Sequence, residues 1–168
     1  SRGKNSFTDG NSASAVSSNC ALRGASTSLH SMVKNPFADR LALAARKLAY
    51  GEYLVISGPV IQSAKLKGEK VVLSFTEKGR GLMTGAVDEE FRVSESQATP
   101  ANFELAGSDG SFVPAQAEIE GDTILICSDA VRTPVTARYV WKNNPDPAAN
   151  LYNSEGLPAS PFSITIEN

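Results

Sequence analysis

Short runs of β-branched and aromatic residues, each closed off by Gly, Asp or Pro, recur from Phe103 to Lys142. Phe103 to Ala106 precedes a Gly107–Gly110 turn, and Ser111 to Glu120 precedes a Gly121–Asp122 turn. Thr123 to Ser128, a short loop, and Pro134 to Lys142 follow. This spacing predicts consecutive hairpins. Ile119, Ile124 and Ile126 are apolar where Glu118, Glu120 and Thr123 are polar, which suits an antiparallel sheet with one wet face.

Upstream the period becomes helical. Asn35 can cap a helix, Pro36 fits its first position, and Gly51 is a natural stop. Phe37, Leu41, Ala44, Ala45 and Leu48 fall on one face, away from Asp39, Arg40, Arg46 and Lys47. Burying Phe37, Leu41 and Leu48 would contribute about 5–9 kcal/mol. The helix is therefore expected to dock, on the β domain, on a second copy in a homodimer, or on a catalytic domain. Gly58-Pro59 is a break, and Val60 to Lys65 and Lys70 to Phe75 read as a hairpin about Lys67-Gly68-Glu69. A Lys78–Gly81 loop leads to Leu82 and Met83. Residues 84–101 read as polar and irregular, with Val87, Phe91 and Val93 as anchors. Pro145, Pro147, Pro158 and Pro161 forbid a central strand or helix after Lys142, leaving an extended strap. Ser163 to Ile166 alternates again and could close a sheet edge. The expected fold is mostly β. An antiparallel β-sandwich or jelly-roll-like domain with one leading amphipathic helix spans residues 35–168, after a flexible Ser-rich leader over 1–34.

Length and charge narrow the function. The 168 residues suit one domain with a real core, and the net charge is −2. Residues 1–34 hold Arg2, Lys4, Arg23 and Lys34 against Asp9, a net +3, leaving −5 for the remainder. No stretch concentrates Lys and Arg, so nucleic acid is not an expected partner. No apolar run approaches the roughly 18–20 residues of a membrane helix, and polar residues after Ser1 give no signal-peptide pattern. Cys127 lies in an apolar run and reads as a buried thiol; a bridge to Cys20 would need an oxidising compartment. One His and two distant Cys make no zinc pattern, and no cofactor is expected.

Several ordered motifs carry a family resemblance. Phe37 to Gly51, Ser57-Gly58-Pro59, Val71 to Phe75 and Gly81-Leu82 resemble the carboxyl-terminal part of sialate O-acetylesterases. So do Phe103 to Ala115, Gly121 to Thr123, Arg138 to Trp141, Asn143 to Pro145, Asn150 to Asn153 and Glu155 to Phe162. The resemblance covers about residues 35–163. It implies a carbohydrate esterase with an SGNH-type catalytic domain closed by the helix, and an accessory β domain packed beside it. It also implies a secreted or periplasmic setting. The family's nucleophile lies in a Gly-Gln-Ser-Asn block well upstream of the helix, and nothing here corresponds to that region. Gly10-Asn11-Ser12-Ala13 echoes the block. The family's catalytic His stands in an Asp-Ile-His-Pro motif just before the helix. His30 is at about that distance from Leu41, with Ser28 in place of the Asp and Ser31 in place of the Pro.

Each candidate site has a bland reading beside it. Ser12 and His30 could be nucleophile and base of an acyl-transfer site, or a solvated serine and an idle histidine. Glu89 and Glu90 beside Asp88 could be paired carboxylates, or a solvated loop. Asn144, Asp146, Asn150 and Asn153 could hold calcium, or shape turns. Tyr139 and Trp141 would share a face of a strand and, with Tyr152, Asn143 and Asn144, could form a sugar-stacking platform. They could equally fill the core. The sequence thus points to a non-catalytic accessory domain of a sialate O-acetylesterase-like carbohydrate esterase that contacts carbohydrate. The alternatives are a small stand-alone esterase using Ser12 and His30, and a structural β domain that pairs with itself.

Overall fold

The computed structural model describes residues 35–51 and 54–167. The leader, with Ser12, Cys20 and His30, lies outside the described residues.

Helix α1 runs Asn35–Tyr50. Gly51 ends it as expected: at φ +67° its N–H donates back to the Lys47 carbonyl, 3.1 Å away. Among the described residues, eleven strands follow: β1 Val60–Lys67, β2 Lys70–Thr76, β3 Leu82–Val87, β4 Val93–Glu95, β5 Phe103–Ala106, β6 Phe112–Pro114, β7 Gln116–Glu120, β8 Thr123–Cys127, β9 Thr136–Tyr139, β10 Leu151–Asn153 and β11 Phe162–Thr165. They form three antiparallel sheets, ordered β1-β2-β8-β7, β10-β3-β4 and β11-β9-β5-β6.

The first and third sheets enclose the core. Alternation puts Ala64, Val71, Leu73, Ile124 and Ile126 of the first sheet inside, against Phe103, Leu105, Ala137, Tyr139 and Phe162 of the third. Phe75 meets Phe162 edge-on at 5.9 Å across this interior. Glu118 and Glu120 stay exposed while Ile119 turns inward, as the alternation required. Cys127 alternates with buried Ile126, so it is half-buried rather than buried, and its thiol is free.

Two corners tie the sheets together. After Pro114 the chain leaves the third sheet and enters the first at Gln116. On the other side, the residues after β11 cross to β1: Glu167 N–H donates to the Ala64 carbonyl at 2.8 Å, and Leu66 N–H donates to the Glu167 carbonyl at 2.9 Å.

Two expectations are corrected. Residues 84–101 are not irregular throughout. β3 extends to Val87, and β4 pairs back on it, Gly85 with Glu95 and Val87 with Val93. The Asp88–Arg92 loop between them is closed by the Asp88 carboxylate, which accepts from Arg92 N–H at 2.7 Å, and it leaves Glu89 and Glu90 exposed. The sandwich also does not cover the helix. Leu41 is 53% and Leu48 83% exposed, because the sheets spend their apolar faces on each other.

Candidate functional site

Trp141 is the one large aromatic side chain that the described β domain leaves exposed. β9 ends at Tyr139, and Val140 then adopts φ +50°, a conformation rare for a β-branched side chain. Asn102, at φ +67°, faces it, and its carbonyl accepts from Val140 N–H at 3.0 Å. This reversal breaks the two-residue alternation, so Tyr139 and Trp141 do not share a face. Tyr139 is sealed at 1% exposure, while Trp141 is 55% exposed.

The surroundings of Trp141 are anchored. Asn102 Nδ2 donates to the Pro147 carbonyl at 2.8 Å, holding down the loop that carries exposed Asn143 and Asn144. Lys142 Nζ lies 3.6 Å from Glu104 Oε1. Arg138 Nε donates to Glu104 Oε2 at 2.5 Å, and the guanidinium lies 3.6 Å over the Phe112 ring. Glu104 is thus a buried carboxylate held between two cations on the outer face of the third sheet. An exposed indole and two amides on this braced edge can offer a sugar or a protein surface a stacking face with hydrogen-bonding neighbours.

The other proposed platform residues are elsewhere or inside. Tyr139 packs on Phe103 at 4.7 Å and Phe162 at 5.7 Å. Burial pushes its phenol well above the ordinary range, and the hydroxyl accepts from Leu151 N–H at 3.3 Å. Tyr152 is 6% exposed on β10. Two of the four candidate calcium ligands are engaged: Asn150 Oδ1 accepts from Ala101 N–H, and Asn153 Oδ1 from Leu157 N–H, both at 2.9 Å. Among the described residues no cluster of three or more His, Cys, Asp or Glu could hold a metal.

A second feature has no signal in the sequence. A cleft of about 790 Å³ separates β7 from the 95–100 segment, with Lys70, Leu82, Met83 and Leu125 also lining it. It forms because the residues before β5 leave the sheet to hang on β3. Nothing in the composition of residues 95–100 marks that divergence. Asn102 was the one readable signal near Trp141, since asparagine tolerates positive φ.

No family model and no curated protein matches the chain. A solved structure does: a carbohydrate acetylesterase from Xanthomonas citri, with 42% identity and a TM-score of 0.71. This chain resembles part of a carbohydrate acetylesterase. The match takes in 84% of this chain but only 30% of that enzyme. The carbohydrate-esterase resemblance read from the motifs therefore holds at that level.

Proposed function

We propose that this chain is a non-catalytic accessory domain of a longer, sialate O-acetylesterase-like carbohydrate esterase. α1 docks on the catalytic part, and Trp141, with Asn143 and Asn144, contacts carbohydrate. The 42% identity to one stretch of an acetylesterase carries this reading. Two further features support it. Leu41 and Leu48 lie open on one face of α1, which is what a helix bridging to another domain presents. Trp141 is exposed directly after Val140, whose backbone is strained, and such strain concentrates at functional sites. A carbohydrate substrate for the longer enzyme favours a secreted or periplasmic setting.

The test has two arms. The full chain should hydrolyse p-nitrophenyl acetate no faster than buffer. Hydrolysis that disappears in Ser12→Ala or His30→Ala protein would replace this reading with a stand-alone esterase. In affinity electrophoresis through acetylated polysaccharide, Trp141→Ala should lose the retardation shown by the parent chain. No retardation of the parent on any glycan would remove the sugar contact and leave docking alone.

A further inference from the structure

We propose that the cleft beside β7 is a slot for one extended peptide strand, supplied by another polypeptide and bearing Lys or Arg side chains. The free edge of β7 carries the argument. Ala115 N–H points away from β8 and donates to the Phe103 carbonyl on β5 at 2.9 Å. With a two-residue period, Ala117 and Ile119 aim their N–H and C=O groups to that same side. There β5 has no continuation, because the chain before it has diverged. The far wall is held off from β7. Ser96 N–H donates to the Thr84 carbonyl at 2.8 Å, Thr84 Oγ1 to the Ser96 carbonyl at 2.7 Å, and Asn150 Nδ2 to the Thr99 carbonyl at 2.9 Å. The slot is therefore built in advance, which lowers the cost of filling it.

Its size fits one strand. β7 has five residues, about 17 Å of extended chain. The cleft of about 790 Å³ runs along β7 and also reaches Lys70 on β2 and Leu125 and Cys127 on β8, so it has room for one strand of that length. Backbone pairing supplies affinity in this mode, and alternate side chains supply specificity. Leu82, Met83, Ile119 and Leu125 would receive apolar side chains, and Glu95 and Glu118 outnumber Lys70 on the walls, favouring a basic guest. Among the described residues no aromatic ring lines the cleft, so they offer a sugar no stacking face there. A second copy does not fit either. Its β7 would bring the whole attached sheet and set the exposed Glu118 and Glu120 carboxylates of the two copies near one another.

The experiment is amide hydrogen exchange and a chemical-shift titration on the full chain, with an eight-residue peptide alternating lysine and valine as the probe. The Ala117 and Ile119 amides should exchange freely in the protein alone and at least about tenfold more slowly at peptide saturation. The Glu95→Lys, Glu118→Lys double variant changes two exposed positions and should still fold, while weakening the peptide about tenfold. Slow exchange of those amides before peptide is added would show the edge already paired, and would overturn the proposal. Shifts that fail to saturate by about millimolar peptide would do the same. So would shifts at β7 raised by cellohexaose instead of the peptide.

Discussion

Tyr139 and Asn153 show how little a residue's name says about its job. Tyr139 reads as a candidate sugar platform, yet it is a core residue whose hydroxyl serves Leu151 N–H. Its phenol titrates higher in the folded chain, mainly through burial. The unfolded chain loses that proton near pH 10. Stability tied to Tyr139 is therefore fully present below about pH 10 and falls as pH rises beyond it. Tyr139→Phe should cost about 1–2 kcal/mol at neutral pH, through the orphaned Leu151 N–H, and should lose less stability between about pH 8 and pH 11 than the parent. Denaturant unfolding at the two pH values checks both. Asn153 is fully buried, and Nδ2 donates to the Ser57 carbonyl at 3.1 Å and the Glu77 carbonyl at 3.3 Å. Asn153→Asp would set a carboxylate against two carbonyl oxygens. It should cost at least about 3 kcal/mol at neutral pH and recover part of that near pH 4, where the acid can donate. A flat pH profile for the variant would contradict this arrangement.

Among the elements, what could be read in advance was what repeats locally. The β1–β2 and β7–β8 hairpins were legible because each has an apolar period of two and a Gly in its turn. β4 was not, because three residues give no period, and its pairing with β3 depends on contacts across the Asp88–Arg92 loop. Trp141's exposure was hidden for a related reason: one positive φ at Val140 resets the alternation without any Gly to announce it. The helix was legible as a helix, but its surroundings were not. An apolar stripe calls for a cover without saying which surface provides it. The distinction is measurable in this chain. Leu48→Ser, at an 83% exposed position, should change stability by no more than about 0.5 kcal/mol. Leu73→Ala, at a fully buried one, should cost about 2–5 kcal/mol. A large loss at Leu48 in urea unfolding would mean that the chain covers α1 by itself, through folding or dimerisation, and would weaken the case for docking on a catalytic domain.

At the scale of the whole molecule, stability depends on closure at the two corners. The β6–β7 corner is internal to the chain and cannot be removed without severing the ladder. The other corner is closed by Ile166 and Glu167. Ile166 N–H donates to the Val135 carbonyl at 2.8 Å, its side chain is 6% exposed, and Glu167 supplies both backbone bonds to β1. Removing residues 166–168 should cost roughly 1.5–3 kcal/mol for the isoleucine side chain. Three backbone bonds add about 0.5–1.5 kcal/mol each. The total, about 3–7.5 kcal/mol, is a large part of the roughly 5–15 kcal/mol that holds a typical domain folded. Glu167→Ala keeps the backbone and loses only the exposed Lys65 pair at 3.9 Å, so it should cost under about 1 kcal/mol. Urea unfolding of the two variants separates main-chain closure from side-chain attraction. If the truncation costs no more than the alanine substitution, the sheets are held by their facing side chains, and the crossing at β1 contributes nothing of its own.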